Sequence, residues 1–290
     1  MRLQLDMALV RSSLGHGVAV TRQAWKKCPG ILILMLLAIL GADYLDLALA
    51  NQGLANFGLL LLYNLASIAA YGAVFRLAAD DDEAEANGLG PWGFQWRALE
   101  GRLLGATLLL VLLPIFAIVL VVFLLLALAA IIAYGHGHEL TLSSPAAIGA
   151  ELGLGGIVVM LVTSVLAVAA LVTLYLRLCL SGPASAYSGK ISVLSTLILT
   201  KNRVFSLLCA FGAIFGSIIL IMLVGEVLIA SVNSLGMEVS GLEAVVSVLK
   251  RSLEVLVFVP MIAATQAALY RSLKPGHNQT EYPLESGKKD

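Results

Sequence analysis

Asp43, Asp46, Glu226, Lys250, Arg251 and Glu254 stand inside or against long apolar runs of this 290-residue chain. Ionisable side chains in apolar surroundings are costly, and they mark binding sites, proton paths or ion pairs. Lys250 and Glu254 are one helical turn apart and are expected to pair, which leaves Arg251 to reach a carboxylate on another segment. Six such groups could line an outward-facing polar pocket for a lipid headgroup or a small solute. They could equally form a ring of side chains that reach the membrane interface and fix helix packing.

Other chemistry-bearing groups are sparse. His136-Gly137-His138-Glu139 has metal-capable side chains but lacks the closure and supporting shell of a metal site, so no metal is expected there. The run Asp80-Asp81-Asp82-Glu83, with Glu85, lacks the ligand spacing of a calcium loop and reads as a solvated linker. Cys28, Cys179 and Cys209 have no C-x-x-C spacing and read as packing residues. His16, His136, His138 and His277 assemble no set of nucleophile, base and orienting group, and the common hydrolase and phosphate-loop motifs do not occur. The expectation is a protein that is not an enzyme and holds no cofactor.

Composition says what must position these groups. Hydrophobic residues make up 60% of the chain and charged ones 12%, against about 25% charged in soluble domains. Mean hydropathy is +0.96. A chain this poor in charge must be coated by lipid, and its zero net charge gives no sign of nucleic acid as a partner. A membrane helix needs roughly 20 apolar residues. The expected fold is all-α: a polytopic membrane helix bundle with six transmembrane helices plus cytoplasmic interfacial amphipathic helices. It forms one domain over 1–274, with spans near 29–50, 54–77, 103–134, 152–178, 204–230 and 252–271 and a short polar tail at 275–290. Pro114 and Pro260 are expected to bend the third and sixth spans, and either could serve as a hinge. Asn64, Ser67, Thr163 and Ser164 offer hydrogen bonds between helices, and Gly212 and Gly216 offer a close-packing face.

Lys and Arg concentrate on the cytoplasmic side of membrane proteins. With the N-terminus inside, every Lys and Arg except Lys250 and Arg251 falls on that side, which predicts an inner-membrane protein with both termini cytoplasmic. A cleavable signal ending at Ala48-Leu49-Ala50 is not expected, because Asp43 and Asp46 sit where the segment should be neutral.

Three cytoplasmic segments read as helices lying on the membrane. Leu3, Met7, Val10, Leu14, Val18 and Trp25 recur at helical spacing in the first, with Gly15 and Gly17 weakening it midway. Pro91 is expected to open the second, with Trp92, Trp96, Leu99 and Leu103 on one face. Gly182-Pro183 is expected to stop the fourth span, and Ser192 to cap a short helix carrying Leu194, Leu197 and Ile198. The interfacial membrane contacts expected from these segments are Trp25, Lys26, Lys27, Trp92, Trp96, Arg102, Lys201 and Arg203. Three copies of one unit would give this regularity, and so would sorting of basic residues alone.

The run Ala24-Trp25-Lys26-Lys27-Cys28-Pro29-Gly30 resembles the opening of the YciC-like bacterial inner-membrane proteins, related to the membrane domain of some glycerophosphoryl diester phosphodiesterases. Arg177-Leu178-Cys179-Leu180, Pro183-Ala184, Gly189-Lys190 and Leu199-Thr200-Lys201-Asn202-Arg203 are similar to that family's elbow. Leu197 stands where the family usually has Trp and Asn202 where it has Gly. The resemblance implies a six-helix inner-membrane protein and carries no catalytic residue across. Two functions are expected from the whole: a non-enzymatic protein of envelope maintenance or a membrane complex, or a lipid-handling or solute-transport protein using the outer charged pocket. Membrane lipids, other membrane proteins or a second copy of the chain are the expected partners.

Overall fold

The computed structural model describes residues 2–48, 53–79, 88–135, 145–234 and 240–274, and it is helical with no strand among them. In chain order the helices are α1 (Arg2–Lys27), α2 (Pro29–Ala48), α3 (Gly53–Ala79), α4 (Ala98–Gly135), α5 (Pro145–Leu178), α6 (Ser181–Ser188), α7 (Ser195–Leu199), α8 (Val204–Ser234), α9 (Ser240–Leu253) and α10 (Val259–Leu273). A 3-10 turn at Pro91–Gly93 precedes α4, and a π turn at Glu254–Phe258 joins α9 to α10. Four stretches are long and apolar enough to cross a membrane: Leu54–Ala79, Pro91–Gly135, Leu152–Ser188 and Val204–Val232. Met7–Lys27 and Pro29–Leu45, bent by 91°, qualify together as a fifth. The chain is therefore a helical protein with four to five candidate spans. The expected first span enters only through that bent pair, and the last is divided by the π turn at Glu254–Phe258, which leaves α10 with 15 residues.

Contacts group the chain into two compact units, residues 1–106 with 180–290 and residues 107–179. In the second unit Ala129, Ala133 and Leu152 are buried, while side chains such as Phe116, Phe123, Leu161 and Leu166 lie more than half exposed. Pro114 leaves no residue of α4 outside helical dihedrals. The first unit has the larger core, built from Leu32, Met35, Phe75 and Val255 with runs of alanine from α3 and α10. Those small side chains let helices approach closely, the device that packs helices where lipid removes the usual hydrophobic drive.

Gly17, expected to weaken α1, is instead its contact point. A Cβ there would meet Thr265 Oγ1 at 2.5 Å, so α1 packs along α10 on Gly17 and leaves Met7, Val18 and Trp25 exposed. Helix α1 runs unbroken through both glycines. At its end the Trp25 indole N–H donates to the carbonyl of Leu256. That carbonyl lies four residues before Pro260, which has no N–H to offer it. Trp25→Phe is therefore expected to lower the unfolding free energy by about 1 kcal/mol with the ring contact kept, read as a fall in midpoint during denaturant titration in detergent.

The membrane-surface elbows differ from expectation in detail. Pro91 opens only a single turn, because Trp92 (φ 61°) and Gly93 (φ 83°) both take left-handed dihedrals. Trp92 and Trp96 consequently do not share a helical face. Gly182-Pro183 does not stop the chain's helical course but lies in the first turn of α6. Ser192 does not cap α7; its carbonyl accepts from Ser195 Oγ at 3.1 Å, and its N–H donates to Ser185 Oγ at 2.9 Å.

Candidate functional site

The charged residues near the end of α2, on α8 and at the α9–α10 junction are engaged in two sets of ion pairs. Arg251 Nε and its terminal nitrogen donate to both oxygens of Asp43, at 2.8 and 3.2 Å, and the other terminal nitrogen donates to Glu254 at 2.9 Å. A fork engaged on two carboxylates is the strong form of this interaction. Lys250 does not pair with Glu254. Its stem lies against Gly225, and Nζ reaches Glu226 on α8 at 2.5 Å.

Helical register explains the exchange. Arg251 and Glu254 are three residues apart and share the side of the helix that faces α2. Lys250, one position earlier, is turned about 100° away, toward α8. The Arg251 set is about one-third exposed, whereas Glu226 is 67% exposed. Asp46 falls within α2, and its side chain lies outside the described residues.

Beside these pairs lies a cleft of about 210 Å³ lined by Ile218, Ile221, Met222, Leu253 and Phe258 with Lys250 and Glu254 at its edge. The cleft is small and mostly apolar, and its two charged residues are already engaged with neighbours.

A second ionic contact went unread in the sequence. Arg76, near the end of α3, holds Glu100 through two hydrogen bonds of 2.5 and 3.2 Å, with side-chain exposures of 4% and 0%. Glu100 occupies the third position of α4, and its carboxylate also accepts the backbone N–H of Arg97 at 2.9 Å, as the acid of a capping box does. Gly72 makes room for this carboxylate, since a Cβ there would collide with Glu100 Oε1. The signal available was an acid three positions after Arg97 at a helix start.

Arg271 extends the same logic at the far end of α10. It donates to the last carbonyl of α3, Ala79, at 3.1 Å and to His16 Nε2 at 3.0 Å. A guanidinium can only donate, so His16 presents an unprotonated Nε2 there. Arg271 thus caps a helix C-terminus where free carbonyls favour a cation.

The other expected membrane contacts are separate from these pairs. Trp92 and Trp96 are 66% and 53% exposed, and Lys26 and Lys201 are exposed. Arg203 bonds through its backbone to Thr200. Arg102 donates from Nε to the Ala98 carbonyl at 3.2 Å and lies over Gly189. Asn64 and Thr163 bond to carbonyls of their own helices, Leu60 and Val159, rather than across helices. The Gly212 and Gly216 face of α8 meets no neighbour among the described residues.

Cys28 and Cys179 are buried and unlinked, and no group of three metal-capable side chains occurs among the described residues. His136–Glu139 and the acidic run 80–83, with Glu85, lie outside those residues. Comparison with protein-family models, curated proteins and solved structures finds no match to this chain.

Proposed function

We propose that the chain is a six-span bacterial inner-membrane protein with both termini cytoplasmic, acting without catalysis in envelope maintenance or as a subunit of a membrane complex. The observation that carries this reading is the engagement of Asp43, Glu226, Lys250, Arg251 and Glu254 with one another. They tie α2, α8 and α9 at one end, which is work for a packing joint. Two further spans complete the six. Helix α2, with 20 residues, matches about 30 Å of hydrocarbon. The continuous helical run from Ser240 to Leu273 supplies the sixth. The open Gly212/Gly216 face of α8 leaves room for a partner helix.

Purification of the full chain in native lipid discs, followed by mass spectrometry, tests the reading. The expected result is a stoichiometric membrane-protein partner or a second copy of the chain. A lone monomer that retains one small solute, and loses it on Asp43→Asn, overturns the reading in favour of transport. Topology is checked in a cysteine-free background: Ser234→Cys is expected to react with an impermeant thiol reagent in intact cells, and Lys274→Cys only after permeabilisation.

A further inference from the structure

We infer that the turn between α6 and α7, together with the start of α4, forms a binding site for an anionic phospholipid headgroup, with Arg102 and Lys190 as its cationic contacts. This rests on the membrane reading above and deepens it by naming the lipid class.

The turn is built rather than loose. Helix α6 ends on Gly189 in the left-handed conformation (φ 71°), the usual helix stop that glycine alone adopts without strain. Ser188 Oγ donates to the Lys190 carbonyl at 3.0 Å and lies 2.9 Å from Ser192 Oγ. Ser185 Oγ accepts the Ser192 N–H. These bonds fix the backbone on both sides of Lys190, whose side chain is exposed and has no ion pair among the described residues.

Arg102 comes to the same place from α4. Its Nε is anchored on Ala98, and one terminal nitrogen lies 3.2 Å from where a Gly189 Cβ would stand. The Arg102 guanidinium thus lies over the residue next to Lys190, and neither cation has an ion pair among the described residues. Two neighbouring like charges at one turn favour an anion, and a fork plus an ammonium suits a phosphodiester.

Next to the cations are apolar side chains that water would not favour. Leu194 and Ile198, four residues apart along the α7 segment, are 63% and 82% exposed, while Thr196 and Thr200 on the opposite side are fully buried. Ile191 packs its tip against Gly105 of α4 and is 49% exposed. The segment runs directly into α8, a candidate span starting at Val204. Basic heads beside exposed aliphatic side chains at the mouth of a span match the two layers of a lipid, phosphate above and acyl chain below.

A juxtamembrane cation contributes about a fivefold preference for anionic lipid. The test reconstitutes the full chain in discs of equal phosphatidylglycerol and phosphatidylcholine and measures the bound ratio by native mass spectrometry. Wild type is expected to enrich phosphatidylglycerol by about twenty-five-fold. Arg102→Gln and Lys190→Gln are each expected to lower the ratio about fivefold, and Lys190→Arg to keep it. Lys274→Gln, a charge removed elsewhere, is expected to leave it unchanged. Circular dichroism of the exposed Lys190→Gln variant confirms that folding survives, so the ratio reports the site.

A wild-type ratio near one, or equal losses in Lys274→Gln and Lys190→Gln, overturns the assignment. Release of the wild-type chain from membranes by alkaline carbonate would instead overturn the membrane reading itself.

Discussion

Glu100→Ala is expected to lower the unfolding free energy by about 3–5 kcal/mol, with a matching fall in the amount of protein recovered from membranes. The carboxylate is fully buried, and it bonds Arg76 twice and the Arg97 N–H once. Truncation removes a carboxylate that bonds twice to a guanidinium itself 4% exposed, and removing one member of a buried pair is the costly half of such a change. It also strips the start of α4 of an N-terminal acceptor.

Three variants separate these contributions. Glu100→Gln retains an acceptor for Arg97 and should recover part of the loss. The double change Arg76→Met with Glu100→Leu removes both charges and is expected to fall within about 2 kcal/mol of wild type, since apolar replacement of a buried pair is often neutral. Arg76→Glu with Glu100→Arg restores opposite charges but leaves Arg97 facing a cation, so it should recover less than the apolar pair. Reversible unfolding in mixed micelles gives all four values. Equal destabilisation by Glu100→Ala and by the apolar double would show that the pair is held for its attraction.

That pair also shows where sequence reading stops. Long apolar runs placed the cores of the major helices, because lipid solvation and the helical rise constrain length and polarity together. In the sequence Arg76 counts only as one of the basic residues on the cytoplasmic side, yet α3 continues to Ala79 and the side chain is 4% exposed. Nothing in the pattern couples it to Glu100, 24 residues on. The packing face of α1 escapes the same kind of reading for a related reason. Hydrophobic periodicity selects Leu3, Met7, Val10, Leu14, Val18 and Trp25, of which Val10 is buried while Met7, Val18 and Trp25 are exposed; the buried side is completed by Ser13, Gly17, Val20 and Ala24, whose small average size permits close approach. In a lipid-solvated protein large apolar side chains need no burial, so hydrophobicity identifies the helix but not the face that packs.

The charged residues at the α2, α8 and α9 joint are legible as a cluster, and so is the reach of Arg251 to a carboxylate on another segment, but the choice of Glu226 rather than Glu254 by Lys250 is not, and this sets up the second large effect. Arg251→Ala is expected to cost about 2–3 kcal/mol, below the figure for a fully buried pair because each member is about one-third exposed and therefore partly screened. The loss is large for a partly exposed residue because one guanidinium serves two carboxylates, Asp43 and Glu254, which would then face each other without a cation between them. Arg251→Lys keeps the charge but not the fork, and it should recover less than half. Asp43→Asn and Glu254→Gln each remove one partner and should cost less than Arg251→Ala. Lys250→Ala should cost under about 1 kcal/mol, because its partner Glu226 is two-thirds exposed.

The order Arg251 above Asp43 and Glu254, with Lys250 last, is the signature of a joint in which each residue matters according to how many ionic partners it holds and how far they are shielded from solvent. A carrier would give a different order. There Asp43→Asn would abolish uptake while leaving the unfolding midpoint unchanged, and the most exposed group, Glu226, would matter as much as the most engaged one. Measuring midpoint and activity on Arg251→Ala, Asp43→Asn, Glu254→Gln, Lys250→Ala and Glu226→Gln decides between them, because a packing joint moves the midpoint in proportion to partners removed and a transport site does not.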